Sequence, residues 1–382
     1  MKTIKFGIIG AGLMGREFAS AAARWAHLPD MQVRPEITAV CDRNPASLGW
    51  YRDNFPAVTT LTEDYRVLLS QADVEAVYCA VPHHLHEELY SAIIKAGKHL
   101  MGEKPFGINL QANQAILDCL QAHPACFARC ASEFPFYPAV QRIGDMIEQG
   151  AFGRIIEVDG FFLHSSDLNP AKPINWKRMI EYNGEYGCLG DLGMHVCHVP
   201  FRAGWVPQNV RAILSNIIKE RPDGKGGRVP CRTWDNATLF CEAVDSESGD
   251  GFPLTLKTQR IAPGEKDTWS LTILGTQASV RFSTKNPRLL QVMEYRGGDC
   301  EQAWMQIDMG HETAFKSVTG GIFEFGFSDS ILQMWAAFLY ELKEGQPLHR
   351  FSGCVTPEET HQSHRLFTAA LRSQAEQAVI RM

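Results

Sequence analysis

The sequence predicts an α/β chain in two parts: an N-terminal doubly wound parallel sheet, then an α/β domain built on a large, mostly antiparallel open sheet. Three observations predict it. Short apolar runs alternate with helix-like segments over residues 1–132, the pattern of a parallel sheet covered on both faces. The first run leads straight into Gly10-Ala11-Gly12-Leu13-Met14-Gly15 and then into good helix formers. Past Arg154 the strand-like runs follow one another with few helices, divided by Gly, Pro, Asp and Asn clusters.

Ile4–Ile9 is a run suited to a strand buried on both faces, and Arg16–Ala23 reads as a helix. Between them the glycines stand as Gly-x-Gly-x-x-Gly. Gly10 permits the tight turn, Gly12 lets backbone N–H groups approach a pyrophosphate, and Gly15 lets the helix pack close to the strand. Phosphates would sit on the unpaired amides and positive dipole end of that helix, beside Leu13 and Met14. This spacing between strand and helix is the dinucleotide-binding Rossmann arrangement; the bland alternative is a glycine-rich turn with no ligand.

Ile37–Cys41 is the second buried strand, ending at Asp42-Arg43-Asn44-Pro45. An acid at this strand end would hold ribose hydroxyls, so Asp42 favours NAD over NADP, whose 2′-phosphate it repels. Arg43 keeps NADP open, because its guanidinium could stack on adenine or accept that phosphate. Asp42 lies 32 residues after Gly10 rather than the usual ~20. The polar insert Arg24–Glu36, with Pro29 and Pro35, accounts for the excess as a longer loop. Val74–Val81 is another strand, breaking at Pro82 into His83-His84-Leu85-His86. Glu87–Ala96 reads as a helix stopped by Gly97, and His99–Gly102 as a strand ending in Glu103-Lys104-Pro105. Ligands of doubly wound sheets bind at the carboxyl ends of strands. Gly10–Gly15, Asp42, Arg43, Pro82, His83, His86, Glu103 and Lys104 are therefore expected to line one crevice.

Cys126–Ala131 reads as one more strand, and Glu133-Phe134-Pro135-Phe136-Tyr137-Pro138 as the crossover out of the first domain. The domains expected are 1–132 for the dinucleotide and 133–382 for substrate and oligomerisation, with the C-terminal helices free to pack back on the first. Ala139–Gly150 is an amphipathic helix ended by glycine. Ile155–Phe162, Val210–Ile218, Ala237–Val244, Leu254–Ile261, Trp269–Leu274 and Ser279–Phe282 are the strands of the second sheet. Ser328–Glu344 and Glu358–Ala378 close the chain as helices.

A net charge of −6 gives no electrostatic reason to expect nucleic acid or an anionic membrane as partner. No apolar run nears the ~18 residues of a membrane span. Met1-Lys2-Thr3 runs directly into the first strand and leaves no room for a signal peptide, so the compartment expected is the cytoplasm. Eleven cysteines, odd in number and without a Cys-x-x-Cys pair, look like buried reduced thiols.

The other informative stretch is Gly187-Cys188-Leu189-Gly190-Asp191-Leu192-Gly193-Met194-His195-Val196-Cys197-His198. If it is helical from Leu192 onward, Asp191, His195 and His198 share one face. An aspartate beside an imidazole fixes its tautomer and suits it to general-base work. Two alternatives stand beside this: a metal site of Asp191, His195 and His198 with Cys188, and a purely structural histidine cluster.

Gly10–Gly15, Asp42, Glu103-Lys104-Pro105 and Asp191-x-x-x-His195 together resemble the Gfo/Idh/MocA (glucose–fructose oxidoreductase and inositol dehydrogenase-like) oxidoreductase family. The resemblance runs over nearly the whole chain, including Gly150-Ala151-Phe152-Gly153 and the Gly345-Gln346-Pro347 turn. It implies a Rossmann domain followed by an α/β domain whose open sheet builds homodimers or homotetramers. It also implies Lys104, Asp191 and His195 at the nicotinamide of NAD, and no metal. The chain departs from the family where it has Glu185-Tyr186-Gly187 before the aspartate, Glu133-Phe134-Pro135-Phe136 at the crossover, and His198 three residues after the histidine. Trp176-Lys177-Arg178 matches a Trp-Arg element of the family; it suits cofactor or an anionic substrate group, or is an exposed basic turn.

The function expected is an NAD(P)-dependent oxidoreductase acting on a hydroxyl carbon of a sugar, glycoside or cyclic polyol. His195 would take the hydroxyl proton, Lys104 would stabilise developing alkoxide charge, and Asp191 would orient His195. Substrate contacts are expected from Glu133, Trp176, Arg178, Tyr186 and His198. The polar and aromatic loop Trp176–Tyr186 suits a pyranose, whose apolar face stacks while its hydroxyls pair. An NAD-dependent glycoside hydrolase acting by transient oxidation, elimination, water addition and re-reduction would use the same residues. A cofactor-binding scaffold without turnover would need none of the three.

Overall fold

The computed structural model describes residues 1–298, 301–310 and 313–382. The chain divides into two compact units, Met1–Phe136 with His311–Thr360, and Tyr137–Gly310 with His361–Met382. The first boundary thus falls a few residues beyond 132, because Phe134 and Phe136 are fully buried in a short 3-10 turn that belongs to the first unit.

In the first unit, strands β1 (Lys2–Ile9), β2 (Val33–Cys41), β3 (Thr60–Thr62), β4 (Ala76–Cys79), β5 (His99–Gly102) and β6 (Ala128–Cys130) form one sheet. Its order is β3-β2-β1-β4-β5-β6, with every pair parallel. The order reverses between β1 and β4, which opens a crevice at their carboxyl ends. The segment expected to be a polar loop, Arg24–Glu36, is largely structured. It holds a 3-10 turn, Trp25–His27, then the first residues of β2, and it buries Trp25, Leu28 and Met31. The Trp25 indole donates to the Val33 carbonyl at 2.8 Å. The long offset from Gly10 to Asp42 is therefore core structure, hidden from a reading that weighed the two prolines as loop markers.

The helix Phe327–Glu344 packs on the helix Leu13–Ala23 within this unit. Trp335 stacks on Phe18 with centroids 3.7 Å apart and meets Phe6 and Tyr78 edge-on at 5.7 and 4.9 Å. Arg24 pairs with Asp329 at 2.5 Å on the rim of the same contact. A segment more than three hundred residues from β1 thus covers the sheet below the glycine turn.

In the second unit, β7 (Ile155–Leu163), β8 (Trp205–Pro207) and β9 (Asn209–Ser215) are followed by a small hairpin, β10 (Glu220–Pro222) with β11 (Arg228–Pro230). Then come β12 (Asn236–Asp245), β13 (Gly251–Gln259), β14 (Thr268–Gly275), β15 (Ala278–Ser283), β16 (Leu289–Glu294), β17 (Met305–Asp308) and β18 (Ile380–Arg381). The large sheet runs β17-β16-β15-β14-β7-β13-β12-β9-β18, with β8 against β12. It is mixed, since β7 and β13 are parallel while the other pairs are antiparallel. One face is covered by the helix Cys188–Arg202, which packs on β13, β7, β8 and β12. Every residue of that helix from Cys188 to Phe201 is buried, so it behaves as a core helix rather than an amphipathic surface one. Gly193 makes this possible on one side, since a Cβ there would lie 2.7 Å from the Phe367 ring.

Among the described residues no helix is long and apolar enough to cross a membrane. Ten cysteines are free thiols, eight of them buried; Cys119 and Cys126 are half-exposed, against the expectation of uniform burial, and Cys300 lies outside the described residues.

Because Trp335 touches the first strand, the first helix and β4 at once, Trp335→Ala should remove about 3–5 kcal/mol of stability. A urea titration should show a lower midpoint; an unchanged midpoint would mean that this helix contributes nothing to the core.

Candidate functional site

The first unit contributes residues at the carboxyl ends of its strands. Gly10 has φ +99°, and a Cβ there would lie 2.2 Å from the Ala80 carbonyl, so only glycine permits β1 and β4 to run out side by side. A Cβ on Gly15 would lie 2.3 Å from the Gly10 carbonyl. Gly12 is different: a Cβ there would meet nothing within 4 Å, and the residue is exposed as the N-cap of its helix without a side-chain cap. Leu13 is 75% exposed beside it, and Met14 is half-buried. The turn thus presents bare amides at an open helix N-terminus, which fits the pyrophosphate of a dinucleotide.

Asp42 closes the turn from the end of β2. Its Oδ2 accepts from the Ala11 amide at 2.7 Å and its Oδ1 from the Asn44 amide at 2.8 Å. Arg43 beside it is exposed. After β4, Pro82 is half-buried and His83 buried. His86, expected at the cofactor, has both ring nitrogens on backbone: Nδ1 accepts from the Gly107 amide at 3.3 Å, and Nε2 lies 3.1 Å from the Val81 carbonyl. That pairing fixes a neutral tautomer and ties the turn after β4 to the turn after β5. Its ring stacks on Tyr90 at 4.6 Å.

Glu103, also expected at the cofactor, is buried and accepts from the Tyr78 hydroxyl at 2.6 Å, while its carbonyl accepts from the Tyr90 hydroxyl at 2.8 Å. Burial, with the Glu103 charge next, pushes the Tyr78 hydroxyl well above its usual range, so it stays a donor. Lys104 follows, half-buried, on a cis Lys104-Pro105 peptide. Phe106 then takes a left-handed φ of 62°, which its full burial and its 5.0 Å contact with Tyr90 maintain. Glu103 and His86 therefore brace the loop that carries Lys104.

The second unit contributes the helix Cys188–Arg202, which begins a turn earlier than expected and so places Asp191 inside it. Asp191 is fully buried, and two cations meet its carboxylate. Lys177 donates to Oδ1 at 3.0 Å and to Oδ2 at 3.2 Å, and Arg260 Nη1 also donates to Oδ2. The His195 ring stands edge-on to Phe162 at 5.3 Å, and its carbonyl accepts from the Trp269 indole at 2.9 Å. His198 is buried one turn further on. Among the described residues no three His, Cys, Asp or Glu side chains are grouped to hold a metal ion.

Two residues expected to touch substrate are placed otherwise. Arg178 is fully buried and ion-paired with the equally buried Asp235, whose Oδ2 also accepts from the Ile218 amide at 2.9 Å. Tyr186 is buried with its hydroxyl 2.7 Å from Thr368 Oγ1. A guanidinium with a carboxylate to neutralise it, and a phenol with a hydroxyl partner, can be taken into the core at little cost. Trp176 is half-buried with Lys177 Nζ 5.5 Å from its ring centre, Tyr182 and Glu185 are exposed, and Glu133 is buried beside its 3-10 turn.

Sequence reasoning did not find Arg260 or Asp167. Arg260 Nε donates to Asp167 Oδ2 at 2.9 Å, and both residues are buried. Arg260 lies 69 and 93 residues from its two carboxylates, so no local spacing marks it.

Residues 4–129 match a family model described as an oxidoreductase family with NAD-binding Rossmann fold, and residues 140–281 match the GFO/IDH/MocA C-terminal domain. Levoglucosan dehydrogenase of Pseudarthrobacter phenanthrenivorans is 27% identical over 313 residues, 76% of each chain. A protein named glycosyl hydrolase family 109 protein 1, from Phocaeicola vulgatus, is 26% identical over 198 residues, 49% of this chain and 39% of that one. The solved structure of a levoglucosan dehydrogenase in complex with NADH and L-sorbose shares the fold, with a TM-score of 0.87 at 24% identity over 100% of this chain and 99% of that one.

The three glycines should separate by experiment. Gly12→Ala, with free space for its methyl group, should leave the melting temperature unchanged and weaken NAD binding by ~10-fold or more. Gly10→Ala should lower the melting temperature itself. Calorimetric titration and thermal melts of both variants check this, and unchanged NAD affinity in Gly12→Ala would remove the turn from the cofactor site.

Proposed function

Because this chain belongs to the Gfo/Idh/MocA family of NAD-binding oxidoreductases, we propose that it transfers a hydride between a hydroxyl carbon of a sugar, glycoside or cyclic polyol and the nicotinamide of NAD. The observation that carries this reading is Lys104, held by a braced loop on the same rim of strand ends as the open Gly12 turn and Asp42. NAD, when bound, supplies the two-electron hydride acceptor. Gly10, Gly12 and Gly15 shape the amides that take its phosphates, and Asp42 accepts from its ribose hydroxyls. His195 takes the hydroxyl proton of the substrate, and the Lys104 ammonium stabilises the oxygen as its charge develops. Asp191 orients His195 or a neighbouring hydroxyl, its carboxylate held by Lys177 and Arg260.

Trp176, Lys177, Tyr182 and Glu185 are among the residues of the Trp176–Tyr186 loop that are not sealed in the core, and with Glu133 and His198 they are the proposed substrate contacts. An aromatic face with cationic and carboxylate partners suits a pyranose or an inositol ring. The likeness to levoglucosan dehydrogenase supports a sugar substrate. The outward face of the large sheet carries Phe240 and Ile213 exposed, and we propose that it builds the homodimer or homotetramer.

The likeness to glycosyl hydrolase family 109 protein 1 favours a second reading, net hydrolysis of a glycoside with NAD regenerated in each cycle. The same lysine and histidine serve both. A panel of hexoses, hexosides, inositols and short 2-hydroxy acids, followed by NADH absorbance and product chromatography, separates them. NADH formed with sugars or polyols supports the dehydrogenase; aglycone release without NADH supports the hydrolase; activity confined to 2-hydroxy acids excludes both.

Lys104→Ala and His195→Ala should each lower turnover by ~10²-fold or more while NAD affinity stays within a few-fold. Wild-type rates in both would remove them from the mechanism. NAD should bind more tightly than NADP, and Asp42→Ser should narrow the difference; calorimetry with the two dinucleotides reads this directly, and tighter NADP binding by the wild type would show that Arg43 outweighs Asp42.

A further inference from the structure

We infer that Arg260 is a positioning residue of the reaction: its guanidinium clamps Asp191, inside the Cys188–Arg202 helix, to Asp167 in the loop after β7, and so fixes the helical turn that leads to His195. The inference rests on the reading of His195 as the proton acceptor.

All three nitrogens of the Arg260 guanidinium are committed. Nη1 donates to Asp191 Oδ2, Nε to Asp167 Oδ2 at 2.9 Å, and Nη2 to Ser166 Oγ at 2.8 Å. Its main chain is tied to the same loop, since the Asp167 amide donates to the Arg260 carbonyl at 3.0 Å. Arg260 is 6% exposed, and Asp167 and Asp191 are 0% exposed. Lys177 closes the other side of Asp191, and Lys172 and Asn175 reach Asp167 Oδ1 at 3.3 Å each. Five charged residues thus alternate in sign: Lys177, Asp191, Arg260, Asp167, Lys172.

Only arginine suits the central place. A planar fork presents donors in fixed directions to two carboxylates at once, whereas an ammonium is a point charge that would favour one of them. Asp191 has both oxygens met by cations, Lys177 on each and Arg260 on Oδ2. What it supplies is geometry. It anchors the helix one turn before His195, while the Trp269 indole holds the His195 carbonyl at 2.9 Å and Phe162 meets the ring. The base is thereby located from both ends of its turn, and misplacement of about 1 Å at such a group is enough to cost ~10²-fold in rate.

The full-length protein is tested as Arg260→Lys, Asp167→Asn and Arg260→Met. Each is assayed with NAD and the best sugar or polyol of the wild type, alongside thermal melts. Arg260→Lys and Asp167→Asn should lower kcat by ~10-fold or more with KM for substrate and cofactor within about two-fold, and Arg260→Met should fall further. Partial recovery in Arg260→Lys over Arg260→Met marks the retained charge. If Arg260→Met does not fold, the other two variants decide. Wild-type kcat in both with only a lower melting temperature, or a rise in KM alone, would overturn the inference. A second readout does not depend on turnover: the His195 ring resonances in proton NMR, assigned with a His195→Gln variant, should shift in Arg260→Lys. Unshifted resonances would overturn the clamp. A wild type that turns over no sugar or polyol while those resonances do shift would instead overturn the functional reading and leave the clamp standing.

Discussion

The second unit is arranged around a charge that its sequence buries. Asp191 lies in a helix with no exposed face, and an ionised carboxylate there costs several kcal/mol unless cations and donors meet both of its oxygens. Lys177 and Arg260 meet them, but Arg260 is itself nearly buried and needs a second acceptor. Asp167 supplies it, and Asp167 in turn draws Lys172 and Asn175 onto its other oxygen. Burial pushes the Asp167 carboxyl up, but Arg260, Lys172 and Arg221 outweigh it, and the group is held below its ordinary value. Arg221 adds the carbonyls of Asn169 and Lys172 at 2.8 and 3.3 Å. These paired charges therefore hold the loop after β7 against the Cys188–Arg202 helix.

The first unit solves the same problem of placement with neutral donors to its carboxylates, Glu103 and Asp42. Its functional residues stand on loops at strand ends, and these loops are fixed by phenols, an imidazole and amides: Tyr78 and Tyr90 on Glu103, His86 between two turns, Asp42 on Ala11. The Asp42–Ala11 and Tyr78–Glu103 bonds join residues distant in sequence, and they exist because the strand order sets β2 beside β1 and β4 beside β5. Strand ends give a rim of converging loops, and buried hydrogen bonds stop those loops from wandering. The helix of the second unit needs no such bracing along its length, and its difficulty is the charge it carries.

What the sequence made legible follows from this contrast. Short-range patterns carried the glycine turn, the β5 strand and the acid at the end of β2, because glycine spacing and apolar runs are local signals. Pro35 and a polar run hide the start of β2, although the strand buries Val33 and Pro35 and the Trp25 indole donates to the Val33 carbonyl. The helix at Asp191 is legible in the spacing, but Lys177 and Arg260 on its carboxylate are not, since neither lies on that helix. Arg178 and Tyr186 look like surface polar residues by type. Asp235 and Thr368 make them core residues, and both partners lie more than fifty residues away. Charge pairing over such distances leaves no pattern in a single chain.

Asp42 joins the legible and illegible parts. As an acid at a strand end it was read correctly for position, yet its carboxylate already accepts two backbone amides, one from the glycine turn itself. Those bonds use one lone pair on each oxygen and leave another on each for a diol, so the group can hold the turn and a ribose together. A carboxylate fixed in this way meets its ligand without reorganising, which favours affinity for a diol and strengthens repulsion of a phosphate in the same place. Arg43, exposed and without such anchoring, can swing toward a phosphate only at the expense of side-chain entropy. On the role proposed for Asp42, discrimination between the two dinucleotides would depend less on which charges are present than on which of them the backbone holds still.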